Sequence, residues 1–129
     1  MRGNSLTNTS TESPLTTYGR HLSKGELAYQ FDPDQGRAIF YPRVIPEGSG
    51  IEWRVSEGLG TVYSSTVVFP RGGTPYNVAL IELDEGFRMM SRVETEDPME
   101  VTIGQRVQAR ILPAVGEEHP LVVFDRVDG

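Results

Sequence analysis

Gly58-Leu59-Gly60-Thr61-Val62-Tyr63-Ser64-Ser65-Thr66-Val67-Val68-Phe69 decides the fold. Nine of its last ten positions from Gly60 are β-branched, aromatic or hydroxyl-bearing, the composition of a pleated, half-buried strand. Its two early glycines permit a strand bend. They do not make a phosphate loop, because no Lys-Ser or Lys-Thr follows and no helix begins there. Upstream, Ile51 to Val55 is a shorter extended segment that reads as the same strand before a kink near Gly58 and Gly60. Downstream, Pro70 to Pro75 is a loop and Tyr76 to Leu83 a second strand. Asp84-Glu85-Gly86 is a tight hairpin turn in which glycine supplies a positive φ, and Phe87 to Val93 returns as a third strand. Arg106 to Leu112 alternates, with Val107, Ala109 and Ile111 on one face and Arg106, Gln108 and Arg110 on the other. Leu121 to Arg126 is the last strand. Thr95 to Gly104, with Asp97 and Pro98, has room for one helical turn only. Five strands with no intervening helix and a glycine-bent first strand predict a mainly β chain built on a five-stranded Greek-key barrel of the OB type. An open β-sandwich is the competing architecture.

Residues 1–16 are dominated by Ser, Thr and Asn, too poor in apolar surface to offset ordering entropy, and are expected to be a disordered tail. Tyr18 to Leu27 predicts a short helix, with Thr16 or Thr17 as N-cap and Gly25 near its end. From Ala28 to Gly50 two short extended pieces flank an Asp32-Pro33-Asp34-Gln35-Gly36 turn, followed by Pro42, Pro46, Gly48 and Gly50. The division expected for the 129 residues is therefore a tail over 1–16, a helix-bearing appendage over 17–50 and the barrel over 51–129.

Composition removes whole classes of chemistry. With no cysteine there are no disulfides, thiolate metal sites or cysteine nucleophiles. His21 and His119 stand far apart in polar contexts and read as surface side chains, not a metal pair. No apolar run approaches the roughly 18 residues needed to span a bilayer, and the polar N-terminus lacks a secretory signal, so the expected compartment is the cytoplasm. Asn8-Thr9-Ser10 is then a chance sequon. The net charge is −6, and all of it falls on residues 51–129, where seven arginines face thirteen carboxylates. Polynucleotide binding needs the opposite sign. A single-stranded nucleic-acid module is accordingly only the alternative reading.

Several side-chain groups carry possible chemistry. Asp32, Asp34 and Glu47 lack calcium-loop spacing and read as a solvated turn. Glu82, Asp84 and Glu85 suit acid–base work by type, yet an acidic hairpin explains them without a catalytic partner. Ser64, Ser65 and Thr66 have no histidine nearby and no strained elbow. Met89 and Met90 occupy successive strand positions and must face opposite sides, which exposes one thioether as a candidate interface contact. Trp53, the sole tryptophan, is expected to anchor the appendage on the barrel, with an interface role as the other reading.

Gly58 to Val68, taken with Pro75-Tyr76-Asn77-Val78-Ala79-Leu80-Ile81-Glu82-Leu83-Asp84-Glu85-Gly86 and Ile103-Gly104-Gln105-Arg106-Val107, strongly resembles the DUF35 family of acyl-CoA-associated OB-fold proteins over about residues 18–127. The resemblance implies an N-terminal helix, a rubredoxin-like zinc ribbon and then the barrel. Where the family has two Cys-x-x-Cys knuckles this chain has Asp32 and Gln35, then Pro46 and Ser49, so the ribbon is expected to be degenerate and metal-free, either more mobile or pinned by packing of Phe40, Tyr41 and Trp53. It further implies a chain that is no enzyme itself, with no catalytic residue of its own. The implied role is that of a non-catalytic accessory subunit of a thiolase-like acyl-CoA enzyme that completes its substrate channel. A homodimer within a hetero-oligomer is compatible with that role. Arg43, Arg71 and Tyr76, in the appendage and at a barrel mouth, are the expected contacts with partner or CoA thioester, and no cofactor of the chain's own is expected.

Overall fold

The computed structural model describes residues 13–115 and 120–127. Residues 1–12 of the expected tail, the Asn8 sequon and His119 lie outside the described residues. The one described α-helix, α1 (Pro14–Ser23), starts earlier than Tyr18. Ser13 is its N-cap: the Ser13 hydroxyl accepts from the Thr16 amide at 3.1 Å, and Pro14 brings a φ already suited to the first turn. Residues 14–16, read as tail, thus form the opening turn, and Gly25 at φ +82° follows the helix end.

Two antiparallel pairings build a small sheet of order β2-β1-β3 from β1 (Ala28–Asp32), β2 (Arg37–Ile39) and β3 (Glu52–Val55). Hydrogen bonds close the β1–β2 turn. Asp32 Oδ1 accepts from the amides of Asp34 at 3.0 Å and Gln35 at 3.4 Å, and Gly36 takes φ +61°. At the second knuckle position the Ser49 amide donates to the Pro46 carbonyl at 3.1 Å. Two expectations change here. The 51–55 segment pairs with β1, Gln30 opposite Trp53, and so belongs to the appendage sheet and not to the first barrel strand. Trp53 accordingly stacks on His21 of α1 at 6.1 Å, tying helix to small sheet inside the appendage.

The second sheet has order β6-β5-β4-β8-β9-β7, formed by β4 (Leu59–Val68), β5 (Tyr76–Leu83), β6 (Arg88–Ser91), β7 (Val93–Glu94), β8 (Arg106–Leu112) and β9 (Leu121–Arg126). β6 and β7 are the two halves of the expected third strand, separated only by Arg92, whose carbonyl accepts from the Phe124 amide at 2.9 Å. The ends of the sheet order are therefore neighbours in the chain. β7 runs parallel to β9 and every other pair is antiparallel, the Greek-key connectivity the sequence predicts. β4 pairs with β5 along Gly60–Val68 and with β8 at Leu59–Thr61, its glycine-bearing start. Gly60 lies so close to β5 that a Cβ there would sit 2.7 Å from the Glu82 carbonyl oxygen. A bulge between Val62 and Ser64 leaves Tyr63 without a partner in β5.

Val62, Ile81, Leu83, Val107 and Phe124 are fully enclosed at the centre of the sheet. Appendage and barrel share one core through a chain of rings. Tyr29 stacks on Phe87 at 4.9 Å, Phe87 on Phe40 at 4.9 Å, and Phe40 meets Tyr18 edge-on at 5.7 Å. Each such pair contributes about 0.5–1.5 kcal/mol beyond the area it buries. Burial pushes the Tyr18 hydroxyl up to about 12, with Tyr41 nearby adding to the effect. A polar clamp reinforces the junction: Glu85, in the β5–β6 turn, accepts from the Ser56 hydroxyl at 2.7 Å and the Glu57 amide at 2.9 Å. No helix among the described residues is long and apolar enough to cross a membrane.

Candidate functional site

The carboxylates flagged in the sequence are dispersed over structural tasks. Glu82 pairs with Arg88 at 3.1 Å, Asp84 receives two 2.8 Å hydrogen bonds from Arg106, and Glu85 holds the linker. The Arg106 guanidinium holds the Asp84 carboxyl below the usual aspartate range, and Arg110 does the same to Asp125. Ser65 accepts from the amide of Asn77, a buried side chain whose Oδ1 also takes the Val93 amide at 3.0 Å, so these polar groups bridge β4 to β7. His21 is half-buried and bonded to Glu26 at 2.7 Å, less exposed than expected. Among the described residues no three His, Cys, Asp or Glu side chains form a metal-holding group.

Cations separate into two sets. Arg54, Arg88, Arg92, Arg106, Arg110 and Arg126 each have a carboxylate partner within 2.6–3.7 Å. Among the described residues Lys24, Arg37, Arg43 and Arg71 make no such ion pair. Arg37 and Arg43 face one open cleft of about 360 Å³ between β2 with its following segment and the β5–β6 hairpin. Phe40, Tyr41, Phe87, Glu82 and Arg88 complete its walls. The Arg43 backbone is held by Gln30, which donates from Nε2 to the Arg43 carbonyl at 2.8 Å and accepts from the Arg43 amide at 2.9 Å. Arg88 is kept at the rim by Glu82 and by the Tyr63 ring, 3.8 Å below its guanidinium carbon. Of the three contacts expected from sequence, only Arg43 lines this cleft; Arg71 and Tyr76 lie in and beside the β4–β5 loop. Arg37, Tyr41 and Arg88 are additional lining residues, and no linear motif marks them.

A family model described as "ChsH2, C-terminal OB-fold domain" matches residues 53–112. This match bears out the DUF35 resemblance read from the sequence. The chain is 37% identical over 94 residues to the 3-oxo-4,17-pregnadiene-20-carboxyl-CoA hydratase alpha subunit of Mycobacterium tuberculosis (strain ATCC 25618 / H37Rv). The match takes in 70% of this chain but 28% of that protein, so the chain spans little more than a quarter of the relative's length. Among solved structures, the Ltp2-ChsH2(DUF35) aldolase superposes with a TM-score of 0.73 at 24% identity, over 89% of this chain and 95% of that one. A DUF35 protein of unknown function from Sulfolobus solfataricus gives 0.61 at 17% identity, over 96% and 95%. These two likenesses show the fold.

The names correct one expectation. The resemblance implied a chain that is no enzyme, but the sequence relative is itself named a hydratase subunit and the solved assembly an aldolase. The absence of cysteine does not support that expectation either: it excludes thiol chemistry, while hydration and carbon–carbon cleavage run on proton transfers that tyrosines and carboxylates can carry.

Proposed function

We propose that this chain is a subunit of an enzyme complex that processes acyl-CoA thioesters, joined to a thiolase-like partner and lining the channel through which the thioester passes. The observation that carries the reading is the outward face of β4, β5 and β6. Asn77, Ala79, Ile81 and Leu83 point into the core, so Tyr76, Val78, Leu80 and Glu82 point out, where an isolated half-exposed strand would be polar. Three of those four are apolar or aromatic. Directly opposite Leu80 lies Met90, 54% exposed, and the bulge turns out Tyr63, 48% exposed. A row of Tyr76, Val78, Leu80 and Met90, bordered on β4 by Ser64 and Thr66 and lying next to a cationic cleft, suits a surface presented to a partner. The sequence relative's name supplies the substrate class: it is a CoA thioester hydratase subunit.

Affinity capture of the tagged full chain from its native host, followed by identification of what is retained, tests the reading. A thiolase-like subunit in a defined ratio, in a complex that turns over an acyl-CoA, is the expected result. Recovery of the chain alone or only with itself would overturn it.

A further inference from the structure

We propose that the cleft between β2 and the β5–β6 hairpin binds the diphosphate of an adenine nucleotide, with Arg37 and Arg43 as its cationic contacts and the Tyr41 ring as the surface for the base. The ligand's source, the phosphoadenosine end of a CoA thioester, rests on the acyl-CoA reading above; the preference for phosphate rests on the cleft alone.

The charge pattern is the first reason. The chain carries 18 carboxylates against 12 basic residues, and its matched arginines show how readily a neutralising partner is found. Two unmatched guanidiniums nevertheless share one cleft. Glu82, the carboxylate on the wall, is already engaged by Arg88. A single carboxylate ligand would satisfy one guanidinium, whereas a diphosphate offers two negative centres and several acceptor oxygens to planar N–H forks.

The second reason is backbone geometry. Among the described residues Tyr41 is the only one other than glycine with positive φ, at +62°. Such a conformation persists only where surroundings hold it, and strained residues cluster at ligand sites. Here the Tyr41 hydroxyl accepts from the Met90 amide at 3.3 Å, while the ring stays 59% exposed beside Phe40, at 5.2 Å. The aromatic surface is thus fixed at its tip and open on its flank. Stacking of a flat base on such a ring, next to guanidiniums, tolerates any base and needs no dedicated pocket. The cleft volume, at the low end of the range for small-molecule sites, suits one end of a long ligand whose remainder leaves through the open side.

Calorimetric titration of the full chain with CoA, ADP, pantetheine and inorganic phosphate, at low and moderate salt, tests the assignment. CoA and ADP should bind, pantetheine should not, and affinity should fall as salt rises. Arg37→Gln with Arg43→Gln should weaken CoA and ADP by at least about tenfold, since each substitution removes a charge-assisted contact. Lys24→Gln, an unpaired cation on the helix end, should leave both affinities unchanged. Thermal unfolding of the double variant should match the parent, because neither side chain has an ion-pair partner to lose. Equal affinity for ADP and CoA, with no gain in the assembled complex, would keep the cleft as a phosphate site and assign it to free nucleotide. Tight CoA binding that the double variant retains would overturn the cleft while leaving the acyl-CoA reading intact. Absence of binding by ADP and CoA alike would overturn the proposal.

Discussion

Gln30 and Arg43 exchange two hydrogen bonds, side-chain amide to main chain in both directions, across 13 residues of sequence. The Gln30 side chain is fully buried, so it acts as a surrogate strand partner that fastens the segment after β2 onto β1. This clamp and the ring stack pin the appendage segment that follows β2. Replacing Gln30 with Leu keeps the volume but strands the Arg43 amide and carbonyl. Gln30→Leu should therefore cost about 1–3 kcal/mol in urea unfolding, and amide exchange should accelerate at Arg43.

Gly60 and Gly19 give opposite expectations for the same substitution. An added methyl at Gly60 would press on the β5 backbone, which cannot yield without disturbing the β4–β5 ladder. Gly60→Ala should destabilise by about 2–3 kcal/mol. At Gly19, within α1, nothing lies within 4 Å of the added carbon. Gly19→Ala should stabilise by about 0.5–1 kcal/mol through helix propensity. Thermal melts of the two variants check both signs.

Local pattern made the barrel legible. The 58–69 stretch, the Asp84-Glu85-Gly86 turn and the alternation in 106–112 each follow a period or a turn rule that depends on neighbouring residues alone, and each stands where it was expected. The methionine pair behaves the same way, Met89 buried and Met90 exposed. Pairing across long separations was not legible. Ile51 to Val55 has the composition of any strand, and only its register with β1 places it in the appendage. The start of α1 was missed because Ser13 and Pro14 sit in a stretch whose overall composition looks unstructured, although a Ser-Pro capping pair was a usable signal. The cleft was half legible: Arg43 could be named as a cation in an irregular segment, but its convergence with Arg37, Tyr41 and Arg88 depends on how the appendage docks.

Asp84 and Arg106 make the acid response of the barrel predictable. The Asp84 carboxyl titrates lower in the folded chain than in the unfolded one, so its contribution is complete above the ordinary aspartate value near pH 4 and is lost as pH falls through the depressed folded value. Asp125, held by Arg110, follows the same sign. Both pairs are solvent-exposed and their effect on stability is small. Urea midpoints should place Asp84→Asn below the parent at pH 7. The gap should narrow below about pH 4 and close at the acid extreme. A gap that stays constant down to pH 2 would show that the Arg106 pair does not set the Asp84 titration.

Met90 offers the sharpest separation of fold from assembly. Its side chain leaves the sheet on the outer face opposite Leu80, while its main-chain amide is capped by the Tyr41 hydroxyl and is unaffected by a side-chain change. A charge at that position meets water in the free chain, so Met90→Glu should alter stability by no more than about 0.5 kcal/mol. Within an apolar interface the same carboxylate would be desolvated without a partner, which costs several-fold more than the lost contact. Association with the proposed partner subunit should therefore weaken by at least about tenfold in Met90→Glu, measured by surface plasmon resonance. Met90→Leu should restore it, because the face needs apolar area and not the thioether. Undiminished association in the glutamate variant would move the docking face away from β4, β5 and β6.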